Sequence, residues 1–320
     1  KTVADVLPTF LPVTSAETKA TSTTNTITTP RVPAFEQLLH SVRMEDICKG
    51  RRGTVLVAPR TSTDGTKLQF PLVRTTTKYH QPAQVMQPHH HVIAKTVQHL
   101  LSLPFAFNNV LFEVYDGEYA KMGFHSDQAL DLQPRSYIAV FSSYEHPELP
   151  STRKLVVETK RYDDGDVWQQ RVAQKHNAKK QSQNQSQSQR TERKEKAHEV
   201  RREQFEVDLL HNSVIVWSLD TNRRFRHKIV KSRLDVENRW LGMTMRTSKT
   251  FVEYSVDDPD VVCKFASDGV PLTLASKEDK KVFYTLRGRE NREIEFDYND
   301  ETHSVMRFTI SQSDLMRPQI

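Results

Sequence analysis

Two cysteines, Cys48 and Cys263, are all that the 320 residues contain. That is too few for a disulfide scaffold, and a reducing compartment, cytoplasm or nucleus, is the expectation. Apolar residues are also scarce. A hydrophobic share of 36% beside 27% charged residues falls below the usual globular composition and points to a core diluted by segments that do not pack. No run approaches the ~18 apolar residues of a membrane span, nor does a charged stretch followed by an apolar one open the chain. No membrane partner is expected. The chain starts on Lys1 rather than Met, as a trimmed piece of a longer protein would, so targeting signals are not read from it. Acidic residues are the scarcer charge, 40 against 46 basic ones, for a net +6 and a pI near 9.2. Such an excess suits an anionic partner such as nucleic acid, although much of it sits in a low-complexity insertion. The sequence does not specify an oligomeric state.

Composition divides the chain. Residues 1–32, rich in Thr, Ser and Pro, read as a disordered leader. Phe35–Met44 and Val92–Leu101 carry apolar residues near helical spacing. Short strand-like runs occupy 54–58, 68–73, 109–115, 121–125, 136–142 and 154–159. The run 136–142 is apolar on both faces and so belongs in the centre of a sheet. The stretch of about 160–204, with Gln181–Gln189 and the charged Arg190–Lys196, offers nothing to bury and is expected to be an exposed insertion. Strands resume at 205–210, 213–217, 225–230, 239–246 and 250–255. Many short strands separated by turns favour a mainly β fold with flanking helices, a double-sheet jelly roll, over a parallel α/β sheet. The expected main domain is 33–255. Val261–Phe265, Pro271–Ala275, Val282–Leu286, Ile294–Tyr298 and Met306–Ile310 would then form a C-terminal β extension over 256–320.

The chemistry begins at Asn108–Asp127, a hydrophobic strand and turn that end on His125-Ser-Asp127. Residues two apart on a strand share a face, and one imidazole beside one carboxylate supplies two ligands of a 2-His-1-carboxylate iron site. One His-x-Asp is about what chance yields at this composition, so the weight comes from downstream. Asn212–Leu219 is a second hydrophobic strand, followed by Arg223-Arg-Phe-Arg-His227-Lys-Ile-Val230. His227 stands among cations, but alternation turns residues 226 and 228 to the opposite face. Further on, Arg246, Ser248 and Thr250 would share one face of a strand, a cation and two hydroxyls suited to a dicarboxylate. Arg239 competes for that role. The run His89-His-His91 invites a metal reading, yet successive residues converge poorly on one ion, and an exposed loop or substrate rim is expected there.

The order Tyr115, His125-x-Asp127, Trp217-Ser218, His227, Arg246-x-Ser248-x-Thr250-Phe251 resembles the AlkB-like branch of the Fe(II)/2-oxoglutarate dioxygenases, over roughly residues 92–255. The resemblance implies a double-stranded β-helix, with Fe(II) and 2-oxoglutarate as cofactors and O₂ as oxidant. It makes His125, Asp127 and His227 the metal ligands. Arg246 would bind the distal carboxylate of 2-oxoglutarate, Tyr115 would reach the same cosubstrate, and Ser248 would lie near it. The implied product is a hydroxylated carbon or a demethylated heteroatom. Three positions depart from the nucleic-acid-repair members: Glu113 stands for an Asn, Val252 for a second Arg, and Ala129 for a base-reading Asp. The resemblance and the basic charge make an alkylated nucleobase one expected substrate, while these departures weigh against base reading. A protein side chain or small molecule is another, and a non-catalytic binding module on the same fold is a third reading.

Overall fold

The computed structural model describes residues 11–13, 35–119, 122–160, 203–254, 263–298 and 307–320. Two β-sheets face one another across an apolar core. The major sheet has the strand order β1 (Leu11–Val13), β11 (Ser213–Ser218), β8 (Tyr137–Tyr144), β13 (Trp240–Arg246), β7 (Asn109–Tyr115), β3 (Arg51–Val57) and β2 (Glu45–Cys48), with β6 (Gln84–Val85) beside β3. The minor sheet runs β10 (Gln204–Asp208), β9 (Arg153–Thr159), β12 (Phe225–Lys231). A third sheet of β15 (Cys263–Phe265), β14 (Phe251–Tyr254), β5 (Leu68–Pro71) and β4 (Arg60–Thr61) packs Val252, Phe70 and Cys263 together. This is the jelly roll expected from the many short strands, and β8, apolar on both faces, lies inside the major sheet.

Alternation sorts the major sheet cleanly. Val110, Phe112 and Val114 of β7, Ala139 and Phe141 of β8, and Leu241, Met243 and Met245 of β13 pack against helices α1 (Phe35–His40) and α2 (Pro88–Leu100). The opposite faces present Tyr115, Ile138, Val140, Ile215, Trp217 and Trp240 to Leu155, Val157 and Ile229 of the minor sheet. The indole of Trp240 lies over Gly242, where a Cβ would stand 2.0 Å from the ring, and it packs at 4.9 Å against Tyr115. Among the described residues, no helix is long and apolar enough to cross a membrane.

Five segments differ from the sequence reading. Leu11–Val13 is an edge strand on β11 rather than leader; it covers backbone groups that β11 would otherwise leave open, and Pro12 is tolerated at an edge. The rest of 1–32 lies outside the described residues. Helix α2 begins at Pro88, a favoured first helical residue, so His89–His91 form its first turn and not a loop. Of the run 121–125, residue 121 lies outside the described residues, and 122–125 form no strand but carry an isolated bridge, His125 to His227. The run Val282–Leu286 is helical, inside α4 (Lys277–Glu290), after α3 (Leu219–Arg224). Ser276 and Asp279 exchange capping-box hydrogen bonds, and Phe283, Leu286, Arg287 and Glu290 are buried at helical spacing. Ile294–Tyr298 is irregular, so among the described residues β15, β16 (Thr273–Leu274) and β17 (Phe308–Thr309) are what remains of the β extension. The insertion at 161–202 lies outside the described residues. Its ends are joined across β9 and β10, where Thr159 N–H donates to Glu203 O at 3.1 Å.

Candidate metal centre

His227 points from the inner face of β12 into the space between the sheets, with its ring 5.1 Å from Trp217. The segment carrying His125 runs antiparallel beside it: His125 N–H donates to His227 O at 2.9 Å and His227 N–H to His125 O at 2.6 Å. Two residues on, Asp127 is held by the side chain of Asn222 from α3, which accepts from Asp127 N–H at 2.8 Å and donates to Asp127 O at 2.8 Å. The outcome is convergence. Each His Nε2 lies 4.0 Å from Asp127 Oδ1, and one ligand atom from each of the three residues lies within 4.8 Å of the others.

Protonation favours metal binding. His125 Nδ1 lies 3.0 Å from Gly123 O, which places the proton on Nδ1 and turns the Nε2 lone pair inward. Burial, then the neighbouring His125, pushes His227 down to about 3, and burial also lowers His125. Burial would raise the Asp127 carboxyl, but Arg246 and the two histidines hold it below the usual carboxylate range. Two neutral imidazoles and an ionised carboxylate are the forms that bind a cation. This mixed donor set of two imidazole nitrogens and one carboxylate would suit Fe(II).

Arg246, at the end of β13, is 5% exposed and donates from Nε to Asp127 Oδ2 at 3.1 Å. It lines a cavity of about 430 Å³ together with the three candidate ligands and Tyr115. Tyr115 is fully buried, and its hydroxyl donates to Glu113 Oε2 at 2.6 Å. Ser248 is not brought to the cavity. Its hydroxyl donates to Leu72 O at 2.6 Å, and Thr250 N–H returns to Ser248 Oγ at 3.1 Å. The strand ends at Arg246, so the alternation that would place 248 and 250 beside it does not extend that far. Arg239 faces away, bound through both Nε and Nη2 to Glu145. The His89–His91 turn lies on the helix side of the major sheet, with His90 wholly buried against Phe112, and so does not form a substrate rim. Ala129 N–H is taken by Glu290 Oε1 at 2.8 Å, and Val252 is 1% exposed in an apolar cluster.

Two cavity residues escaped the sequence reading. Arg51, opposite Tyr115 in the β3–β7 register, donates from Nε to Glu113 Oε1 at 2.8 Å. That pair gives the departure at Glu113 a partner inside the cavity wall. Arg287 reaches the cavity from α4. Neither forms a local motif with its partner, and only the tertiary fold brings them near.

Among the described residues, His125, Asp127 and His227 are the only group of three or more His, Cys, Asp or Glu placed to hold a metal ion. The sequence profile of the 2OG-Fe(II) oxygenase superfamily matches residues 33–251. No curated protein matches the chain. Among solved structures it is similar to a bsmA homolog from Methylobium petroleophilum PM1, at 11% identity over 67% of this chain and 81% of that one, with a TM-score of 0.28.

Proposed function

Because this chain belongs to the 2OG-Fe(II) oxygenase superfamily and is an Fe(II)- and 2-oxoglutarate-dependent dioxygenase, we propose that His125, Asp127 and His227 hold the iron and that Arg246 and Tyr115 orient 2-oxoglutarate. The observation that carries this reading is the meeting of three metal-competent side chains on the wall of one cavity. Bound Fe(II) supplies the oxidative decarboxylation of 2-oxoglutarate by O₂ to succinate and CO₂, coupled to hydroxylation of a substrate C–H. The protein's share is placement. Gly123 O fixes the tautomer of His125, Asn222 sets Asp127, and Arg246 leaves its two Nη groups as a fork for a carboxylate. Tyr115, pinned by Glu113, walls the cosubstrate end.

For the substrate we propose an alkylated nucleobase in single-stranded nucleic acid. The AlkB-like order of motifs and the basic charge balance support it. A protein side chain or small molecule is the second reading, favoured by the buried Val252, by Ala129 and by the distance of His89–His91 from the cavity side. Succinate release from 2-oxoglutarate and Fe(II), measured over methylated single-stranded DNA, RNA and methylated peptides, separates them. Stimulation by oligonucleotides, with binding that weakens steeply between about 50 and 200 mM salt, supports the first. Stimulation by peptides alone gives the site to the second. Turnover that survives His227→Ala would remove the iron assignment itself.

A further inference from the structure

Helix α4 lies beyond residues 33–251 that match the superfamily, yet its C-terminal end grips the loop that carries two of the three candidate ligands. Asn291, just past the helix, accepts from Ser126 N–H at 2.9 Å and faces Ser126 Oγ at 3.2 Å. Arg287 in the last turn donates from Nη2 to Ser126 O. Glu290 accepts from Ala129 N–H at 2.8 Å. Glu290 is itself held by Arg287 Nη1 at 2.6 Å and by the Tyr298 hydroxyl at 2.8 Å. Leu130 of the same loop packs with Phe283 and Leu286.

Ser126 is the middle residue of His125-x-Asp127, so its two flanking peptide groups are the rigid plates on which both ligands hang. In the first plate, His125 O accepts from His227 N–H and Ser126 N–H donates to Asn291. In the second, Ser126 O accepts from Arg287 and Asp127 N–H donates to Asn222. Each plate therefore has one anchor inside the matched domain and one on the C-terminal segment. Without the second anchors, both plates can pivot and the Cβ directions of His125 and Asp127 lose their register.

We infer that the α4 segment is a working part of the metal centre, with Arg287 and Asn291 as positioning residues that set the His-x-Asp ligands through the Ser126 backbone. This inference rests on the reading that His125, Asp127 and His227 hold the metal. Co(II), whose visible absorption reports coordination geometry, is the probe, titrated into the metal-free full chain. Arg287→Ala and Asn291→Leu should each bind Co(II) about tenfold to a hundredfold more weakly, as loss of outer-shell support does, with an altered spectrum. Asn291→Asp keeps the acceptor for Ser126 N–H and should stay near wild type. Arg289→Ala, whose guanidinium faces Glu293, is the control on the same helix and should leave both readings unchanged. Wild-type affinity and spectrum in both Arg287→Ala and Asn291→Leu, whatever their melting temperatures, would overturn the inference. Wild-type protein that binds Co(II) no better than His227→Ala would instead overturn the iron site on which it rests.

Discussion

Along β7, Val110, Phe112 and Val114 face the helices, while Glu113 and Tyr115, one residue out of step, face the cavity between the sheets. The helix side is a continuous apolar cluster in which α1, α2 and five strands of the major sheet (β3, β7, β8, β11 and β13) meet. The cavity side buries Asp127, His227, Arg246 and Glu113, each less than a tenth exposed. Burying such groups costs stability unless they are paired, and even paired they rarely outdo well-packed hydrophobes. Pairing is what the cavity shows, Arg246 with Asp127 and Arg51 with Glu113. One backbone thus carries two contrasting surfaces. One holds the fold, and the other keeps charges that the fold alone does not need.

Substitutions on the two faces should separate chemistry from stability. The largest effect belongs to His227→Ala. Losing a ligand should cost at least about 4 kcal/mol in the barrier, about a thousandfold in succinate formation. The thermal melt of the metal-free protein should hold or rise, because a desolvated imidazole is gone. Next comes Phe112→Ala, directly behind the cavity strand. It should lose about 3–5 kcal/mol in a urea titration, while the folded fraction keeps the wild-type KM for 2-oxoglutarate. Equal stability losses in the two variants would erase the distinction between the faces.

Arg246 sharpens the comparison within the cavity. Arg246→Ala should raise the KM for 2-oxoglutarate by an amount equivalent to about 2–5 kcal/mol, since a buried carboxylate loses a charge-assisted partner. Arg239→Ala should leave that KM alone. Its guanidinium sits on the surface pair with Glu145, worth about 1 kcal/mol or less. A KM defect from Arg239→Ala with none from Arg246→Ala would mean that the cosubstrate enters elsewhere.

How far the sequence could be read follows the same physics. The meeting of His125, Asp127 and His227 was legible through the order of motifs that resembles the dioxygenase family, and β7, β8, β11, β12 and β13 announced themselves as apolar or alternating runs. Ser248 was misplaced because alternation lasts only as long as the strand, and β13 stops at Arg246. Val282-Phe-Tyr-Thr-Leu286 imitates a strand in its β-branched and aromatic residues. The capping pair Ser276 and Asp279 was the overlooked signal of a helix start. Pro88 carried similar information for the His89–His91 turn. Arg51 and Arg287 had no signal at all, because their partners Glu113 and Ser126 lie 62 and 161 residues away.

The smallest effect tests how dry the helix face is. His90 is wholly buried against Phe112. Its Nδ1 accepts from Gln87 N–H at 2.9 Å and its Nε2 lies 3.2 Å from Ser41 Oγ. Burial first, then the neighbouring His89 and His91, pushes it down to about 3. An unfolded histidine titrates near about 6.5. Between those values the unfolded chain binds a proton that the folded chain refuses, so stability falls as pH drops through this window. The slope is at most about 1.4 kcal/mol per pH unit for one group. His90→Gln removes the titration while keeping polar atoms for Gln87 and Ser41. Its stability, lower than wild type at neutral pH, should therefore approach or overtake wild type as urea midpoints are followed from about pH 6.5 toward pH 4. Parallel curves for the two proteins would mean that His90 takes its proton in the folded state, which requires water or a counter-charge on the helix face and would weaken the contrast between the two sides of β7.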